Sequence, residues 1–115
     1  WFQFVLVYQS SVSTVGLRVG ITTPTFTIFS AACEIFGLAA DKAGAAFQGT
    51  INSSGDAVTN TATLTISSNE VAVITGVILS SQAGTNNMTL QYAAETTGAT
   101  VTLKQASCGI MYDLT

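Results

Sequence analysis

Phe2–Tyr8 reads Phe-Gln-Phe-Val-Leu-Val-Tyr, the clearest strand signal in the chain. Aromatic and β-branched side chains suit a pleated, half-buried backbone. The run is almost continuously apolar, as in a strand covered on both faces, by a sheet on one side and a partner on the other. Working outward, Ser10–Thr14 forms a polar turn, and Gly16 offers a backbone conformation closed to other residues. Leu17–Ile21 forms a second strand, with Leu17, Val19 and Ile21 facing one way. Gly20 inside it marks a bulge or a close backbone approach. Pro24, the only proline, ends this strand.

Apolar runs and clusters of Gly, Asn or Ser then alternate at intervals of about ten residues, the spacing of a sandwich or barrel. Thr25–Phe29 reads as a strand, whereas Ala31–Ala40 fits either a short helix or an irregular strand. The small-residue tract Ala39–Ala46 reads as a loop, and Phe47–Ile51 resumes as a strand. Asn52–Asp56, Asn-Ser-Ser-Gly-Asp, is a strong turn signal. Further strands are expected at Thr61–Ser67, at Val71–Ser80 with a bend at Gly76, at Met88–Ala93, at Val101–Ala106 and at Gly109–Leu114. Loops at Gly84–Asn87 and Glu95–Ala99 separate the later ones. The expectation is an all-β chain of about 8–10 strands in two packed antiparallel sheets.

A chain of 115 residues has the size of one domain. Its apolar share of 48% and mean hydropathy of +0.50 argue for an ordered core. Only 8% of residues are charged, against about 25% in an ordinary soluble domain. Thr, Ser, Asn and Gln cover the surface instead. Two explanations stand side by side: a surface taken up by neighbours, or a secreted domain with a neutral, hydroxyl-rich coat. The first residue is Trp1 and no signal-peptide layout follows it. Residues 1–115 are therefore expected to be a single β-sandwich domain, the ordered or C-terminal part of a longer chain.

Composition also excludes function classes. With net charge −3 and three basic residues set far apart, the chain lacks the clustered Lys and Arg that nucleic-acid phosphates require. Val71–Ala94 is uncharged, but its apolar run ends at Leu79, too short to cross a bilayer. Histidine is absent, which removes the commonest general base and metal ligand. The six carboxylates stand singly, and no spacing suggests a paired acid and base. Two cysteines without histidine complete no zinc site, and no calcium loop or phosphate-binding glycine motif occurs. No catalytic residue, metal or cofactor is expected, and the chain does not read as an enzyme.

Cys33 and Cys108 would close a long loop if paired, worth about 4.5 kcal/mol in the chain-entropy description. The expectation favours two buried thiols. Asn52-Ser53-Ser54 and Asn87-Met88-Thr89 have the form of glycan acceptors, a pattern that arises readily in a chain this rich in Ser and Thr. The aromatics Trp1, Phe2, Phe4 and Tyr8 make an N-terminal aromatic edge, with Tyr92 and Tyr112 on late strands. Such residues most often fill cores, but they are also favoured where subunits meet. Phe4, Tyr8, Tyr92 and Tyr112 are the candidate subunit interface.

Several segments together resemble a known family. Trp1-Phe2-Gln3-Phe4 is followed by Tyr8-Gln9-Ser10-Ser11, then by Ser13-Thr14-Val15-Gly16-Leu17-Arg18 and a strand ending at Pro24. The later segments are Val73–Ile78, Met88–Ala93 and Val101–Ser107. This pattern resembles a module of tailed-bacteriophage structural proteins, of head-decoration, head-fibre or tail-fibre type. It covers both ends of the chain and fails between about Phe26 and Thr50; Ser13-Thr14-Val15 stands where a Thr-rich run would be expected. The resemblance implies an all-β jelly-roll sandwich similar in outline to tumour-necrosis-factor-like trimers. It supplies no catalytic residues.

The expected role is a virion structural protein on the particle surface, a homotrimeric capsid decoration or appendage domain that acts by protein–protein assembly. The alternative is a receptor-binding fibre tip or adhesin, with Asn52–Asp56 and Gly84–Asn87 contacting a host glycan or protein. A third class, a pilus or matrix subunit polymerising by strand exchange, would use the N-terminal strand.

Overall fold

The computed structural model describes residues 1–37, 45–60 and 68–113. Nine strands occur among them: β1 (Phe2–Ser10), β2 (Leu17–Thr22), β3 (Phe26–Gly37), β4 (Ala45–Ile51), β5 (Ala57–Thr59), β6 (Glu70–Ser80), β7 (Thr89–Ala94), β8 (Val101–Leu103) and β9 (Cys108–Met111). The larger sheet runs β4-β3-β6-β1. Two short strands share the far edge of β1, with β8 against Tyr8–Ser10 and β9 against Phe2–Val5. The smaller sheet runs β5-β2-β7. Every pairing is antiparallel. The all-β, two-sheet antiparallel sandwich expected from the sequence is what the chain builds. Its pairings are nested, β1 with β8, β2 with β7 and β3 with β6.

The core lies between the sheets and follows the two-residue period of strands. Phe2, Leu6 and Tyr8 of β1 point inward, as do Phe29, Ala31, Cys33 and Ile35 of β3 and Ala72 and Ile74 of β6. The smaller sheet contributes Leu17, Val19, Ile21 and Val58. Leu17, Val19 and Ile21 thus face one way, as expected. Burying each large side chain stabilises by about 1.5–3 kcal/mol. Phe2 and Phe29 stack with ring centroids 6.3 Å apart.

The turn chemistry behaves as the residues dictate. Gly55, Gly84 and Gly98 all take positive φ, one in each of the three expected loops. In the Asn52–Asp56 turn, the Asp56 amide donates to the Ser53 carbonyl at 3.1 Å. Gly20 makes the close approach: a Cβ there would lie 2.8 Å from the Asp56 carbonyl oxygen. Gly16 acts differently from expectation. Its φ is not positive, and it is glycine because Asn60 lies directly against it.

Other elements depart from the sequence reading for identifiable reasons. Ala31–Ala40 contains no helix over its described part, because β3 runs unbroken to Gly37 between β4 and β6. Small residues suggested a helix, but pairing on both edges overrides that local preference. The loop expected at Ala39–Ala46 yields its last two residues to β4; its remaining residues, like the strand expected at Thr61–Ser67, lie outside the described residues. The strand expected at Val101–Ala106 stops at Leu103, where a turn closed by Ser107 donating to the Lys104 carbonyl intervenes. β1 is paired along both edges within its own chain, so it is not the free strand that the strand-exchange reading needs.

Candidate functional site

Alternation that sends Phe2, Leu6 and Tyr8 inward sends Val5 and Val7 outward. Register extends this outer face across the larger sheet. Val5 lies opposite Val73 on β6 and Cys108 on β9, and Val73 lies opposite Glu34 on β3. Val77 and Leu79 continue the row on β6, with Ile28 opposite Leu79. Trp1 joins them, its carbonyl accepting from the Tyr112 amide at 2.8 Å and its ring 5.7 Å from that of Tyr112. All nine strands belong to the two sheets, so no described strand lies over this face. Val77 is 42% exposed, Leu79 50%, Ile28 53% and Tyr112 55%. Glu34 is the one charged side chain that the register places on this face among the described strands, and it accepts from Gln48 Nε2 at 2.7 Å. The result is a face with apolar stretches on either side of Gln3 and Thr75, whose side chains hydrogen-bond at 3.2 Å, and with Asp113 beside Trp1, Val77 and Tyr112.

The four aromatics expected at a subunit interface do not meet on one surface. Tyr8 is fully buried and cannot touch a neighbour. Phe4 packs against the core beside Phe2, with ring centroids 5.8 Å apart. Both occupy even positions of β1, which the core claims. Tyr92 is half-exposed on β7, the edge of the other sheet. Tyr112 alone of the four lies with the apolar face. The residues that sequence reasoning missed there are Ile28, Val77 and Leu79. Val77 and Leu79 occupy odd-numbered positions of β6 and Ile28 lies opposite Leu79 on β3, but sequence does not reveal which side of a nearly continuous apolar strand faces the core.

A polar surface lies at one end of the sandwich. The β2–β3 connection ties the other loops there together. Thr23 donates its amide to Ser54 Oγ at 2.9 Å, and Thr25 donates to Gln82 Oε1 at 3.2 Å. Ser81 returns its amide to the Thr25 carbonyl at 3.1 Å. Asn86 Nδ2 bonds the carbonyls of Gln82 and Gly84. The loops Asn52–Asp56 and Gly84–Asn87 thus stand on either side of one connection, and Asn52 and Asn87 are exposed.

Among the described residues, no three of His, Cys, Asp and Glu group as metal ligands would. The carboxylates are dispersed: Glu34 holds Gln48, Asp56 Oδ1 accepts from the Ala57 amide, and Glu95 Oε2 accepts from the Gly16 amide. Cys33 and Cys108 are both free. They lie on opposite faces of the larger sheet, Cys33 within the core and Cys108 opposite outward-facing Val5. The expectation of two buried thiols is corrected for Cys108, which is exposed because β9 is an edge strand. Burial, then the nearby Glu34 charge, pushes the Cys33 thiol up to about 12. One thiol per chain is therefore expected to react with Ellman's reagent in the native state, and the second only on unfolding. Two fast equivalents before denaturant is added would contradict the burial of Cys33.

One interior group of polar side chains had no sequence signal at all. Tyr8, Asn60 and Glu70 are buried, and Tyr8 and Glu70 face each other across β1 and β6. Burial raises the Tyr8 hydroxyl well above the usual tyrosine range, with the Glu70 carboxylate adding to it and neighbouring Asn60 opposing it. Burial also raises the Glu70 carboxyl.

Among known proteins, no protein-family model, curated protein or solved structure matches this chain.

Proposed function

We propose that this chain is a structural assembly module of a virus particle, a self-associating capsid decoration or appendage domain that works through the outer face of its larger sheet. The open apolar face carries this reading. Ile28, Val77, Leu79 and Tyr112 are each about half exposed on it, and large apolar side chains left open together mark an interaction surface. The occupant is a second copy of the chain. Glu34, the one charged side chain that the described strands place on this face, is hydrogen-bonded to Gln48 and stands away from Ile28, Val77 and Leu79, so two copies can meet at that end without burying it. The sparse charge of the whole sequence supports the same reading, and the resemblance to phage structural modules supports the viral setting.

Leu79→Glu tests it, because Leu79 projects from the face and not into the core. Sedimentation velocity is expected to find oligomers of the native chain at micromolar concentration. The variant is expected to self-associate about a hundredfold more weakly, since matched copies would oppose like charges. Its circular dichroism and thermal midpoint should stay unchanged. Cys108 provides a second readout: its reaction with Ellman's reagent should slow as protein concentration rises. A native chain that stays monomeric at every concentration would overturn the self-assembly reading. Electron microscopy locating the chain on a shell or fibre would support the viral placement, and free filaments would refute it.

The alternative role, a receptor-binding fibre tip or adhesin, draws on the polar loop end. Substitutions at Ser54 and Asn86 that abolish host attachment while leaving assembly intact would favour it.

A further inference from the structure

Four buried polar atoms of the described residues have no hydrogen-bond partner; beside Thr23 Oγ1 they are the Tyr8 hydroxyl, Asn60 Nδ2 and Glu70 Oε1. Tyr8 closes β1, Glu70 opens β6 directly opposite it, and Asn60 follows β5 of the other sheet. Asn60 ties the end of β5 to β2 within the smaller sheet. Its Oδ1 accepts from the Leu17 amide at 2.5 Å, and its own amide donates to the Leu17 carbonyl at 3.1 Å. Glu70 is only 4% exposed. A carboxylate covered in this way needs a cation or several donors to hold its charge, and Oε1 has none.

Among the described residues, no charged group compensates from a neighbouring element. Tyr8 is the titratable side chain facing Glu70 from β1. On β3, Glu34 lies on the outer face with Gln48. Arg18 on β2 is exposed, on the opposite side of its strand from Leu17 and Val19. Glu95 is engaged with Gly16, and Asp56 sits in the turn before β5. Lys104 follows β8, its amide bonded to the Val7 carbonyl, and burial alone is what perturbs Glu70.

We propose that Glu70 is a proton-linked latch, neutral when the Tyr8–Asn60 end of the sandwich is closed and destabilising that end when it ionises. The neutral carboxyl leaves no bare charge between the sheets. The ionised form places one there, directly opposite Tyr8 of β1.

The sign follows from proton binding. A carboxyl whose folded-state pKa is raised binds its proton more tightly in the folded chain than in the unfolded one. Its contribution to stability is therefore complete below the ordinary glutamate value of about 4.3, and is lost as pH rises through the folded-state value. Denaturant unfolding of the intact chain between about pH 4 and pH 8 tests this. Above about pH 4.3, the unfolding equilibrium constant is expected to rise with pH, approaching tenfold per unit until Glu70 ionises in the folded state. Glu70→Gln should remove that rise and be more stable than the native chain at neutral pH. The carbon-13 shift of the Glu70 carboxyl, followed by NMR in the native chain, should titrate above the ordinary glutamate range. That measurement decides the matter even if the variant does not fold. Parallel pH profiles for native and variant chains, or a Glu70 carboxyl that titrates at or below about 4.3, would overturn the proposal.

Discussion

Replacing Gly16 with alanine is expected to destabilise the chain by about 3 kcal/mol or more, enough to prevent folding of a marginal domain. An added Cβ would lie 2.8 Å from the Asn60 carbonyl carbon and closer still to the two Asn60 oxygens. Most of the obstacle is backbone, which cannot swing aside as a side chain would. Retreat is blocked from both directions. Leu17 exchanges two hydrogen bonds with Asn60, and Gly16 exchanges two with Glu95, accepting at 3.0 Å and donating at 3.1 Å. Moving either segment breaks bonds in a buried place, each worth about 1–3 kcal/mol when left unmade. Gly98→Ala is the control. It has open space around it and positive φ, so it should cost only the backbone penalty of about 1–2 kcal/mol. Equal denaturation midpoints for the two variants would show that Asn60 is not packed as described.

Phe2→Ala should cost about 3–5 kcal/mol, the usual range for emptying a buried aromatic site. Phe2 is fully buried, stacks on Phe29 and contacts Phe4. Gly76 makes room for it, since a Cβ there would come 2.6 Å from Phe2 Cζ. The ring thus fills a space that the neighbouring strands, already paired, cannot collapse into. A drop in melting temperature of about 10–20 °C is expected by calorimetry. A loss below about 1 kcal/mol would mean that β1 enters the core differently, because surface changes stay in that range. Gly76→Ala should be harmful in the native chain and less harmful beside Phe2→Leu, since the smaller side chain removes one of its contacts. Relief should be partial, because the Ser30 carbonyl oxygen, 2.7 Å from the added Cβ, remains.

These residues separate what was legible in the sequence from what was not. The odd positions Leu17, Val19 and Ile21 announced the core face of β2, and all three are fully buried. Loops rich in Gly, Asn and Ser announced the turns, and Gly55, Gly84 and Gly98 take the backbone conformation such turns demand. The candidate interface was read less well. Tyr8 was assigned by residue type, and its even position in β1 puts it inside. Cys108 was expected inside, and an edge strand leaves it exposed.

The all-β character of Phe2–Tyr8 and its neighbours, the turns between strands, the shortage of charge and the lack of histidine are legible along the chain. Those are local or compositional properties, carried by a two-residue period and by turn chemistry that acts within a few residues. Packing of the two sheets sets which side of β1 faces the core, which glycines are there for space, and that Glu70 is buried opposite Tyr8. The reason is physical: burial and close approach belong to pairs of segments far apart in the chain, and no period along one strand records which partner lies across from it.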